Sequence, residues 1–207
     1  MAKLIDLTHI LTDNMPAYPG DRETRLVPCK HLDEDGYNNY YLEIGMHSGT
    51  HIDTPMHLTR GSRYISDYPL DRFVGEGCAI DVRGREFITM EKEYHARIQE
   101  GIIVLFCTGH SRLFGKEEYF TSYPVLEPEL ADFLIRRGVK MVGLDSPSPD
   151  RYPFPVHKKL LDSDILIAEN LTNLERLLSA ERFEVMALPL NIEADSSIAR
   201  VAARLLN

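Results

Sequence analysis

A chain of 207 residues, 43% of them hydrophobic and 27% charged, is long enough to bury a sizeable core, and one domain over 1–207 is the expectation. It contains no run of the roughly 18 apolar residues that a membrane span needs, and a formal charge of -9 without a dense Lys/Arg run argues against nucleic acid. A small molecule is the expected partner, and the stretch from Met1 to Pro16, which lacks the apolar region and cleavage site of a secretory leader, makes the cytoplasm the expected location.

Aromatic extended sequence such as Tyr37 to Ile44 predicts a β-rich N-terminal part. Ile80-Asp81-Val82, Gly101 to Phe106, Val139 to Leu144 and Ile165 to Ala168 are short apolar runs that scarcely alternate, which predicts strands buried on both faces. Between them helices are expected over 89–99, over 127–137, where Pro128 and Glu129 open and Gly138 closes the pattern, and over 171–179. Two further strands are expected, from Phe183 to Leu190 and from Ser197 to Leu206, with Ala202 and Ala203 weakening the second pattern. The strand-helix-strand order implies some parallel pairing in a mixed α/β fold. The turn-rich Asp145 to Asp150 predicts a loop near a site. Cys29, Cys78 and Cys107 fit neither a disulfide framework nor a cysteine zinc site and are expected as buried free thiols.

His47, His51, Asp53 and His57 place three of the chain's eight histidines and one carboxylate within eleven residues. Imidazole nitrogen with carboxylate oxygen suits zinc, manganese or iron. The even offsets put all four side chains on one face of an extended strand, but at ~3.3 Å per residue a straight strand would separate His47 from His57 by roughly 33 Å. The backbone must bend, and Gly49 and Pro55 permit it. His51 and Asp53 are neighbours in an extended reading, while His47 and His51 could share a helical turn; spacing leaves both open. Further on, Glu169 ends the apolar run 165–168, where a buried carboxylate needs compensation such as a cation. Taken alone, His157 reads as an exposed loop histidine. His9, His31 and His95 are expected at the surface, and His110, just after a core strand, is a candidate to line a pocket.

The segment H-S-G-T-H-I-D-T-P-M-H resembles the signature H-x-G-T-H-x-D-x-P-x-H of the "Putative cyclase" family, which includes bacterial kynurenine formamidases and isatin hydrolases. The similarity continues through Tyr123 to Leu126, Gly143 to Asp150, Glu169 to Leu174 and Leu188 to Leu190, most of the chain. It implies a swivelling β/β/α cyclase-like fold with a mixed sheet and peripheral helices, assembled as a homo-oligomer, dimer or tetramer. It also implies two Zn2+ per chain, with Mn2+ as the alternative. By that resemblance His47 and His51 bind the first metal, His157 the second, Asp53 and Glu169 bridge, and His57 donates and accepts the proton.

Such a centre activates water and polarises a carbonyl, and an imidazole, with an unperturbed pKa of about 6.5, can protonate the leaving amine. In the formamidase case N-formyl-L-kynurenine gives L-kynurenine and formate, a step of tryptophan catabolism. The W-P-G-D segment of those enzymes reads Tyr18-Pro19-Gly20-Asp21 here, and the chain has no tryptophan. Tyr18 keeps a flat apolar face for an aromatic ring, although a loop tyrosine capping the core would look the same. Ring opening of a cyclic amide such as isatin is the second enzymatic reading. A metal-binding or ligand-sensing module without turnover is the third, and His57 argues against it because mere binding needs no proton shuttle.

Overall fold

The computed structural model describes residues 3–206; Met1, Ala2 and Asn207, which the domain expectation includes, lie outside them. In chain order the first half contains β1 (Leu4–Asp6), β2 (Arg25–Lys30), α1 (Leu32–Asp35), β3 (Asn39–Glu43), β4 (His51–Asp53), β5 (Val74–Asp81), β6 (Phe87–Ile88) and α2 (Tyr94–Arg97). The second half contains β7 (Ile103–Cys107), β8 (Val125–Leu126), α3 (Pro128–Arg136), β9 (Met141–Leu144), α4 (Pro155–Asp162), β10 (Leu166–Glu169), β11 (Phe183–Pro189) and β12 (Ser196–Leu205).

The apolar runs form the middle of one large sheet, in which β5, β7, β9 and β10 lie side by side and parallel. Antiparallel strands flank them: β11 and β12 follow β5, and β4 follows β10. Because β4 also pairs with β12, the sheet closes on itself into a barrel-like form, with β1 adding to the other half of that β12 edge. Alternate residues serve two cores. Ile103, Leu105, Ala168, Val185 and Val201 pack together on one face. On the other, Val104, Phe106 and Ile167 meet Leu130 and Leu134 of α3 and Leu160 of α4.

The strands and α3 match their expected places, and β12 forms despite its alanines, of which Ala199 and Ala203 lie on its buried face and Ala202 is half-buried on the other. Two helices are shorter than expected. Ile88 pairs with Leu126 and its carbonyl accepts the Glu127 N–H, so the backbone stays extended past Thr89 and only the turn α2 remains. Thr172 donates to Leu7 and Asn173 adopts φ 59°, which holds the next stretch out of helix until a 3-10 turn at Leu174–Leu177. Conversely, α4 is a helix where a loop was expected, although Pro155 at its start and Val156, Leu160 and Leu161 at helical spacing are a legible signal. Cys107 is buried, but Cys78 is only half-buried and Cys29 is exposed, because β2 belongs to a hairpin with β3 that carries few packing contacts. His31 and His95 are at the surface as expected; His9 is half-buried, its ring stacked 3.8 Å from that of Phe114. Among the described residues no helix is long and apolar enough to cross a membrane.

Candidate metal centre

The motif is an extended strand between two bends. Ile52 points into the core while His51 and Asp53, on either side of it, turn to the opposite face of β4. Gly49, at φ 63°, makes the bend that returns His47 toward them, and Pro55 opens the 3-10 turn that carries His57. Strand pairing supplies the next group: Glu169 sits opposite His51 in the register of β10 against β4. The first turn of α4 lies over this face and contributes His157. Asp150 holds that turn in place, with Oδ2 accepting the N–H of Val156 at 2.6 Å and of His157 at 3.2 Å.

All five expected ligand residues and His57 therefore converge. His47 Nδ1 lies 2.9 Å and His51 Nε2 3.4 Å from Asp53 Oδ1, while His157 Nε2 is 3.3 Å from Asp53 Oδ2. Glu169 faces His51 Nε2 at 3.4 Å and His157 Nε2 at 3.3 Å. Each of the three histidines turns its other nitrogen outward to an acceptor: His51 Nδ1 donates to the Gly49 carbonyl at 2.7 Å, His157 Nδ1 to Asp150 at 3.2 Å and His47 Nε2 to Asp195 at 3.0 Å. Outward hydrogen bonds of this kind select the tautomer whose inward nitrogen carries a free lone pair.

A cation fits this set. His51 Nε2, Asp53 Oδ1 and Glu169 Oε1 are buried without a hydrogen-bond partner among the described residues, a costly arrangement unless something else satisfies them. Two groups of potential ligand atoms lie within 4.8 Å of one another, His51 with Asp53 and Glu169, and His47 with Asp53 and His57. The second shows that His57 is placed where it could serve either as ligand or as proton carrier. Nitrogen and carboxylate donors without thiolate suit zinc or manganese.

The electrostatics point the same way. Burial works against protonation of His47, but the charges of Asp53 and Asp195 and the hydrogen bond to Asp195 outweigh it and raise the pKa to about 11. Burial is likewise overcome at His157, raised to about 10 by hydrogen bonds to Asp150 and Asp53, and at His51, raised by the charge of Asp53 and by Glu169. Burial disfavours the charged form of Asp53 too, yet His47 and His51 hold it well below the usual carboxylate range. The carboxylate draws positive charge into the cluster, and a divalent ion would replace the protons.

Beside the cluster opens a cavity of about 240 Å³. His47, His57, His157 and Glu169 form its floor, and Tyr18, Leu58, Phe120, Pro147 and Phe154 supply apolar walls. Tyr18 meets Phe120 edge-on at 5.9 Å, and Pro147 belongs to the loop expected near a site. His110 is buried but does not line this cavity; its Nε2 donates to the Tyr119 carbonyl at 2.8 Å. Sequence reasoning named Tyr18 but missed Asp150, Asp195 and the walls formed by Phe120 and Phe154. Asp150 stood in the turn-rich loop already singled out, whereas Asp195, in a polar turn, offered no signal.

A family model described as "Putative cyclase" matches residues 5–151. The chain belongs to this cyclase family. The cyclase-family chain is 31% identical over 198 residues to a kynurenine formamidase of Salinibacter ruber, covering 91% of each protein. Its fold is similar to that of a potential metal-dependent hydrolase with cyclase activity, with a TM-score of 0.81, 26% identity and 100% of each chain covered. It is also similar to isatin hydrolase A of Labrenzia aggregata, with a TM-score of 0.88, 24% identity and coverage of 100% of this chain and 94% of the other. The expected family, the mixed cyclase-like fold and the hydrolase class are thus met.

Proposed function

We propose that this hydrolase cleaves the C–N bond of a small aromatic amide, with N-formyl-L-kynurenine as the first substrate to test and Zn2+, two per chain, as the resident metal. The observation that carries the reading is the convergence of three inward imidazole nitrogens and two carboxylates, with buried atoms left unpaired, on the floor of an aromatic-walled cavity. His47 and His51 would hold one ion and His157 the other, with Asp53 and Glu169 shared between them. A bound divalent ion lowers the pKa of water toward about 7 and polarises a carbonyl.

The chain's own residues do the rest. Tyr18 and the walls around it take the flat ring of the substrate and exclude water from the floor. His57, about one-quarter exposed at the floor of the cavity, is placed to receive the proton of the attacking water. As the C–N bond breaks, the same imidazole returns that proton to the departing nitrogen, which could not otherwise leave as a stable amine. Formate and the aryl amine are then the products.

Assembly into a homo-oligomer and a cytoplasmic location belong to the same proposal. The first is supported by Tyr40, Tyr41 and Leu42, exposed together on β3 of the β2–β3 hairpin.

The test is a panel of aryl formamides and cyclic amides, including isatin, assayed with added zinc or manganese. Formate release from the formamide supports the proposal. Ring opening of isatin alone would shift the substrate to cyclic amides, and no hydrolysis by fully metallated protein would leave a binding module.

A further inference from the structure

Asp195 lies in the turn before β12, and its carboxylate reaches both ends of the histidine motif. One oxygen, Oδ2, is 3.0 Å from His47 Nε2 and 3.3 Å from His57 Nδ1. The two rings are themselves close, with centroids 4.0 Å apart. Asp195 does not get there by chance of rotamer. Its backbone carbonyl accepts the N–H of Thr54 at 3.2 Å and the Thr54 hydroxyl at 2.8 Å, so the turn is tied to the residue that joins β4 to the bend at Pro55. Ser196 next to it approaches His47 Nε2 at 2.9 Å and donates to the second Asp195 oxygen at 3.4 Å.

A carboxylate oxygen can only accept, so both nitrogens that face it carry their hydrogens. For His47 the other nitrogen, Nδ1, faces Asp53 at 2.9 Å, where a bound cation would take the place of its proton. For His57 the hydrogen on Nδ1 leaves Nε2 bare. A neutral imidazole otherwise divides between two tautomers, and a proton carrier whose bare nitrogen points the wrong way for part of the time is idle for that part. An acceptor behind the base is the general remedy.

We propose that Asp195 is a positioning residue that fixes the Nδ1–H tautomer of His57, so that Nε2 is the atom exchanging the proton, and that through its shared oxygen it sets the ring of His47 at the same time. The inference rests on reading His57 as the proton carrier of an amide hydrolase. No redox or covalent step is involved; Asp195 neither gains nor loses a bond in the reaction.

The test compares wild type with Asp195→Ala and the isosteric Asp195→Asn, each loaded with zinc. Three measurements are made: bound zinc; the kinetics, kcat and KM, on an aryl formamide; and the tautomer of each histidine from long-range 1H–15N correlation spectra. Asp195→Ala is expected to keep its zinc, to lose about 10–100-fold in kcat with KM within about twofold, and to shift His57 toward the Nε2–H tautomer. Asp195→Asn, which can still accept through its amide oxygen, should fall between the two. Unchanged kcat with His57 still Nδ1–H would overturn the proposal. Loss of zinc with His57 unmoved would also overturn it, since Asp195 would then serve the metal alone. If wild type hydrolysed no amide, the functional reading would fail by itself, while the His57 spectrum would still decide for or against Asp195.

Discussion

His157 Nε2 lies 3.3 Å from Asp53 Oδ2, although 104 positions separate the two residues in the chain. The other Asp53 oxygen faces His47 and His51, so one buried carboxylate stands between two sets of histidines. That is the arrangement of a bridging ligand, and it predicts up to two zinc or manganese ions per chain by elemental analysis. Stripping them with a chelator should abolish activity, and adding zinc back should restore it. Zinc at about 100 times its dissociation constant contributes about 2.7 kcal/mol of stability, a melting-temperature rise of roughly 5–10 °C for a chain of this length. A fully active preparation with less than one equivalent of metal would refute the metal mechanism.

His57 and His51 should separate when each is replaced. His57→Ala is expected to keep its metal and lose about 10²–10⁴-fold in rate, as removal of an acid-base group does. His51→Ala should lose metal and rate together, because His51 Nε2 faces both Asp53 and Glu169. Metal content beside the hydrolysis rate, with folding checked by circular dichroism, reads the contrast. Loss of metal from His57→Ala would make it a ligand, the role its closeness to His47 and Asp53 also permits.

Tyr18 is a wall of the cavity, not part of its floor. If it stacks on the substrate ring, it stabilises bound substrate and transition state alike, so Tyr18→Ala should raise KM by about 2–10-fold and change kcat less. Unchanged kinetics would remove it from the binding surface.

His9 gives a pH dependence away from the metal centre. Burial pushes its pKa down to about 4, against a backbone hydrogen bond that works the other way. The folded protein therefore resists protonating a ring that the unfolded chain protonates below about 6.5. Its contribution to stability is full above about pH 6.5 and is lost as the pH falls from there toward about 4. In metal-free protein, the drop in melting temperature between pH 7 and pH 5 should be smaller for His9→Phe, which keeps an aromatic ring against Phe114 and cannot ionise. An equal drop in both would assign the acid sensitivity elsewhere.

Gly143 in β9 marks a close approach. A Cβ there would sit 2.5 Å from Leu105 Cδ2 and 2.8 Å from Leu171 Cδ1. Gly143→Ala is expected to destabilise by about 1–3 kcal/mol in urea unfolding, since two core leucines must shift to admit one methyl group.

The amino-acid sequence by itself determined the local features: the buried strands, the helix after Glu127, and a histidine and carboxylate cluster too dense to be incidental. These were legible because burial periodicity and ligand chemistry act between residues near in the chain. Even Glu169 announced itself, as a charge ending an apolar strand. What it left open was geometry. Only the pairing of β4 with β10 and β12 decided that His51 and Asp53 lie in an extended strand, with the bends outside it. Only the seating of α4 turned His157 from an ordinary polar residue into a buried one, and only the turn before β12 brought in Asp195. Strand partners and helix seating are chosen by the whole core at once, where burial of apolar surface offsets the entropy of closing loops more than a hundred residues long. No local pattern records that choice.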